Sequence, residues 1–181
     1  IIFILWGCGE KEKTGNLGET ELYFDERLSS ISADGDSAFW IGSEAGDIWY
    51  MKQRRLQPYN IGADRIYKVV TDSVLSDVRI CWIGIRNSGL QKWALGEENV
   101  RLVEKYPICN KGCNYSVYDI LLTDKKVYVA TSQGLYAMSH SEKDSLKLIY
   151  PSDNSETARS GKPFIVNNIR KFESDYLLCA T

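Results

Sequence analysis

The sequence predicts an all-β fold built by repeating one small sheet, and three observations predict it. Of 181 residues, 12% are aromatic, with 5 Trp and 11 Tyr, and 14 Gly stand against only 4 Pro. Aromatic-rich chains punctuated by Gly favour β structure. No long segment keeps the 3.6-residue apolar period of an amphipathic helix. One short pattern also returns four times: Phe39-Trp40-Ile41-Gly42-Ser43, Cys81-Trp82-Ile83-Gly84-Ile85, Val127-Tyr128-Val129-Ala130-Thr131 and Leu177-Leu178-Cys179-Ala180-Thr181. The steps between Trp40, Trp82, Tyr128 and Leu178 are 42, 46 and 50 residues.

Each unit resolves into four strands. The first is an apolar alternation ending near an Asp: Leu28–Asp34, Ile66–Asp72, Val117–Asp124 and Ile169–Asp175. Repetition of Asp34, Asp72, Asp124 and Asp175 gives them a turn role. Asp34-Gly35 is an explicit hairpin signal, while the second unit carries a longer connection over residues 73–79. The second strand is the repeated motif itself. Its small residue (Gly42, Gly84, Ala130, Ala180) suits a place where neighbouring units converge. Gly46, Gly89 and Gly134 then supply turns that need positive φ, and a third strand follows. Weaker fourth strands are Leu56–Tyr59, Val100–Val103 and Leu146–Tyr150. Four short strands every 42 to 50 residues mark β-propeller blades. The expected fold is therefore a β-propeller fragment of about three and a half four-stranded blades. They cover residues 22–60, 61–106, 107–158 and, incompletely, 159–181. The two ends of such a stack lack neighbours, which predicts marginal stability or aggregation for the segment alone.

Composition narrows function. Hydrophobic residues make up 44% and charged residues 25%, so a packed core is expected. There are 24 acidic and 22 basic side chains, a net charge of −2, which argues against a nucleic-acid partner. A single His excludes a His-rich metal site or a His-pair mechanism. No phosphate-cradling Gly loop occurs.

Residues 1–21 form a separate segment. Ile1–Trp6 is apolar but far short of the roughly 20 residues that span a bilayer. It reads as the tail of a signal peptide, and Leu5-Trp6-Gly7-Cys8 is similar to a lipobox with Cys8 as the lipidation site. The following polar residues read as a tether. Export would permit a local disulfide between Cys109 and Cys113.

The run Trp40-Ile41-Gly42-Ser43-Glu44-Ala45-Gly46-Asp47-Ile48, and Cys81-Trp82-Ile83-Gly84 with Gly89-Leu90, resembles the two-component regulator propeller repeat. Val127–Tyr136 is a looser copy, and Pro163–Ile169 is similar to the family's strand lead-in. The resemblance spans about residues 22–181. It implies a periplasmic or cell-surface, membrane-anchored sensor whose oligosaccharide signal passes to a downstream histidine kinase, with further blades and signalling domains in the same chain and a homodimer as assembly. Membrane contact would come only through an anchor. A lipid-anchored carbohydrate- or protein-binding propeller is the alternative.

Candidate ligand residues lie in loops that vary between copies on a constant scaffold. They are Glu44, Arg86, Asn87, Gln133, Asn114 and Tyr115, which offer donors, acceptors and one ring face to a sugar. Trp40, Trp82 and Tyr128 recur at one repeat position and are expected in the core, as are Trp49 and Trp93. Cys81 and Cys179 read as small apolar strand residues. Catalytic constellations, metal ligands and cofactor motifs are not expected. His140 is placed in a polar outer loop, and Glu97-Glu98 in a solvated turn.

Overall fold

Why these residues form strands is visible in their alternation. In Ala38–Ser43, Trp40 and Gly42 face one side of the sheet while Phe39 and Ile41 face the other. The computed structural model describes residues 2–6, 20–75, 77–97, 99–107, 114–140, 145–151, 164–172 and 176–181. They form three four-stranded antiparallel sheets in simple up-and-down order. The first comprises β3 (Leu28–Ala33), β4 (Ala38–Ser43), β5 (Asp47–Lys52) and β6 (Arg55–Asn60). The second comprises β7 (Ile66–Leu75), β8 (Val78–Ile85), β9 (Gly89–Leu95) and β10 (Val100–Tyr106). The third comprises β11 (Val117–Leu122), β12 (Lys126–Thr131), β13 (Gly134–Ser139) and β14 (Lys147–Tyr150). A hairpin of β15 (Asn168–Phe172) and β16 (Tyr176–Ala180) begins a fourth. The sheets are propeller-like blades, and the described residues form no closed ring.

The first strands β3, β7, β11 and β15 adjoin one another from blade to blade, so they form the inner edge of the stack. Here the small residues of the second strands are required. A Cβ on Gly42 would lie 2.7 Å from Ile66 Cβ, and one on Gly84 would lie 2.7 Å from Val117 Cγ1. Gly46 has φ +92°, and its missing Cβ leaves room for the Ala63 carbonyl of the next blade's entry.

The core is laid down between blades rather than within them. Trp40, Ile48, Tyr50 and Tyr59 of the first blade pack on Ile66, Val69, Cys81, Ile83 and Leu95 of the second. Trp82 and Leu90 then pack on Val117, Ile120, Val127 and Val129 of the third. Ala130, Leu135 and Tyr128 meet Val166, Ile169 and Leu177 of the fourth. Trp40 and Trp82 are buried as expected, and each contributes a large apolar area to a junction. The ends of the stack show what a neighbour does. Val69, Ile120 and Ile169 are 1%, 4% and 0% exposed, whereas the matching Ile31 of the first blade is 57% exposed.

One expectation changes. Asp72 is not at a turn, because β7 and β8 continue past it as a long hairpin to Leu75 and Val78. The residues expected to connect these strands are largely strand themselves. The apolar run taken for a signal-peptide tail includes β1 (Ile2–Trp6), which pairs in parallel with β2 (Thr20–Phe24). Phe24 lies edge-on to Trp49, 4.9 Å between ring centroids, over the outward face of the first blade. Cys8, Cys109, Cys113 and Asp175 lie outside the described residues.

Candidate functional site

The inner strands carry a shared irregularity. In β3, β7 and β11 the register with the second strand shifts between Leu28 and Ser30, Ile66 and Lys68, and Val117 and Asp119. Each is a β-bulge, which leaves Ser29, Tyr67 and Tyr118 without a cross-strand partner. A bulge re-aims the side chain it carries. Ser29 turns its hydroxyl to the Ile66 carbonyl of the next blade. Tyr67 and Tyr118 instead meet across the junction of the second and third blades, with centroids 5.0 Å apart and planes at 62°. Both rings are half-buried.

Charged groups surround this pair. The Arg65 guanidinium lies 5.9 Å from the Tyr67 ring centre and forms an ion pair with Glu44. Asp119, adjoining Tyr118, is buried at the meeting of three blades. Its carboxylate accepts from Ile169 N at 3.0 Å and Arg170 Nη1 at 2.8 Å, and it lies 3.4 Å from Lys68 Nζ. These three contacts join blades, and Ile120 N of the same strand also donates to the carboxylate at 3.0 Å.

The expected loop residues occupy the same end of the stack, but they are not equivalent. Arg86, Asn87 and Asn114 are exposed, and Gln133 is half-buried. Asn87 has φ 54°, a left-handed turn conformation that Asn tolerates, and its N–H donates to Ser116 Oγ. Glu44 is committed to Arg65. Tyr115 is a correction. It is buried, its hydroxyl accepts from Leu90 N at 3.1 Å, and it donates to the Tyr106 carbonyl. Its ring fills the space that Gly89 leaves open, so it presents no face to a ligand. Burial pushes its phenol up to about 12.

His140 is also corrected. It does not stand in a free outer loop. Its Nδ1 lies 2.8 Å from the Thr123 carbonyl, and its Nε2 meets Asp72 Oδ1. The second Asp72 oxygen accepts from Lys92 Nζ at 2.8 Å, and Lys92 lies 4.5 Å from the centre of the Trp82 ring. Asp72 is a bulged residue too, which explains how a strand position reaches out of the sheet. Burial pushes its carboxyl up, but the bonds from Lys92 and His140 outweigh that and hold it below the ordinary value of 3.8. This cluster joins the second and third blades.

Cys81 is fully buried, and burial pushes its thiol up to about 12, so it behaves as an apolar strand residue. Cys179 is exposed at the open end of the stack. Among the described residues no group of three His, Cys, Asp or Glu side chains is placed to hold a metal ion. None of their helices is long and apolar enough to cross a membrane.

The fold and its inner-edge cluster define the class: a run of propeller-like blades whose bulged inner strands carry aromatic and charged side chains. A solved structure with this fold is the extracellular domain of a protein assigned to a hybrid two component system of B. thetaiotaomicron. It matches with a TM-score of 0.55 at 17% identity, over 83% of this chain and 18% of the other. The chain thus spans less than a fifth of that neighbour's length. No family model matches the sequence, and no curated protein matches it.

The sequence reading missed Tyr67, Tyr118, Arg65 and Asp119. Tyr67 and Tyr118 repeat at one position of the unit, where the first and fourth copies carry Ser29 and Asn167, and Arg65 matches Arg27. Tyr67, Tyr118 and Asp119 read as ordinary strand alternation, because a bulge leaves no local mark, and Arg65 as part of a blade-to-blade loop.

Proposed function

We infer that the chain is part of an extracytoplasmic sensor propeller that recognises an oligosaccharide without transforming it and passes the signal to a histidine kinase in the same protein. The observation that carries this reading is the fold shared with the extracellular domain of a hybrid two component system protein, together with the repeat motifs. Binding would bias the arrangement of domains or of a homodimer through its differential affinity for two states. The location would be the periplasm or cell surface, with a membrane anchor.

Thermal-shift screening of the full-length extracytoplasmic region against an oligosaccharide panel tests the reading. A saccharide that raises the melting temperature and survives unchanged supports it. Release of shorter sugars from the panel would instead make the protein an enzyme. The sequence Leu5-Trp6-Gly7-Cys8 favours a second reading, a lipid-anchored binding module. Mass spectrometry of the natural N-terminus decides it: an acylated Cys8 supports that anchor, and an uncleaved or unmodified N-terminus rejects it.

A further inference from the structure

The inner edge of the stack presents a run of polar and aromatic side-chain doublets inside an apolar frame, with Tyr at the first doublet position of the second and third blades. The frame is Leu28, Ile66, Val117 and Val166 on one side of the doublet, and Ile31, Val69, Ile120 and Ile169 on the other. Between them stand Ser29-Ser30, Tyr67-Lys68, Tyr118-Asp119 and Asn167-Asn168. Packing explains the frame but not the doublets. Ser29 closes on backbone, and Asp119 is consumed in joining blades. Tyr67 and Tyr118 sit at bulges of the ladder as two half-buried rings that touch each other across a junction, with the Tyr67 hydroxyl beside Arg65.

We propose that Tyr67 and Tyr118 form the saccharide-stacking subsite of this protein, at the inner edge of the blades, with Arg65 and Glu44 at its rim as donor and acceptor for sugar hydroxyls. Two rings set at 62° form an angled apolar cradle with polar tips, which suits a ring carrying C–H groups on its faces and hydroxyls on its edge. Arg65 and Glu44 already orient each other, so little side-chain freedom is lost when a sugar binds. The proposal rests on the oligosaccharide reading above and moves its site from the exposed loop residues Arg86, Asn87, Asn114 and Gln133 to the bulged inner strands.

The test uses the full-length extracytoplasmic region and hexasaccharides from starch, cellulose, xylan, arabinan and polygalacturonate. Affinity is measured by calorimetry for the wild type, Tyr67→Ala, Tyr118→Ala, Tyr67→Phe and Arg86→Ala. For the saccharide that binds, each alanine variant should weaken binding about tenfold or more, while Tyr67→Phe and Arg86→Ala stay near the wild type. A second measurement on the wild type alone covers variants that fail to fold. Nitration by tetranitromethane should be blocked by the bound saccharide at Tyr67 and Tyr118 but not at Tyr150, which is 45% exposed. Binding that survives in folded alanine variants, or nitration unchanged by saccharide, overturns the subsite and leaves the sensor reading standing. No binding by the wild type to any of the five overturns both.

Discussion

Single positions in this chain answer to one another across blade boundaries. Gly84 shows it most simply. A methyl group there would meet Val117 Cγ1 at 2.7 Å and the Val117 carbonyl at 2.9 Å, and the carbonyl belongs to a paired strand that cannot step aside. Gly84→Ala should cost roughly 1–3 kcal/mol, read as a lower urea midpoint at unchanged slope. Ala130 holds the equivalent place in the third blade, where a methyl group is accommodated and buried. Asp72 answers to pH. Its carboxyl is lowered on folding, so the stability it adds is present above the ordinary value of 3.8 and lost as pH falls through the lower folded value. The junction of the second and third blades should therefore weaken on acidification below about 3.8, and Asp72→Asn should flatten that acid limb in thermal melts across pH.

At the scale of elements, the blade is defined by what ties it to the next. Tyr115 lies just ahead of β11, yet it satisfies Leu90 N in β9 and the Tyr106 carbonyl at the end of β10. Tyr115→Phe removes one hydroxyl and leaves two backbone groups short of a partner, at a cost of about 1–3 kcal/mol. Hydrogen exchange should show the loss first at Leu90. Asp119 does the same work one junction further on, where it joins β11 to Lys68 of β7 and to the Ile169 amide and Arg170 of β15. Removing it leaves the Ile169 amide without its acceptor, while Lys68 and Arg170 keep access to solvent. Asp119→Ala should cost about 1–3 kcal/mol, with β15 and β16 exchanging before the rest of the chain. Arg86→Ala, on an exposed turn, should leave the midpoint within about 0.5 kcal/mol and serves as the reference.

For the whole molecule, stability is a sum of junctions, and three are present among the described residues. The outward faces are open. Ile31 is 57% exposed on the first blade and Leu178 57% on the last hairpin. Extending the chain with neighbouring blades should raise its melting temperature, and light scattering should show less association than for the segment alone. Ile31→Lys should improve solubility of the segment and destabilise the extended protein. That opposite pair of effects is what a latent blade interface predicts.

The repeat steps, the four-strand unit and the buried role of Trp40 and Trp82 were legible in the sequence, because alternation and turn chemistry are local and each copy confirms the next. The fourth strands Arg55–Asn60, Val100–Tyr106 and Lys147–Tyr150 lie where weak apolar runs placed them. The long β7–β8 hairpin was not legible, since Ser73 and Asp77 look like turn residues until cross-strand bonds carry the ladder past them. The candidate site was only half legible. Variable loops could be found by comparing copies, but a ring buried by a neighbouring blade and a ring left open by a bulge are both simply Tyr in sequence. Tyr115 and Tyr118 are three residues apart, one locked between backbone groups and the other half-buried against Tyr67 at the inner edge. Local pattern determined the strands and their order. Contacts between residues 25 to 68 positions apart decided which side chains were consumed in holding blades together and which were left half-buried at the inner edge.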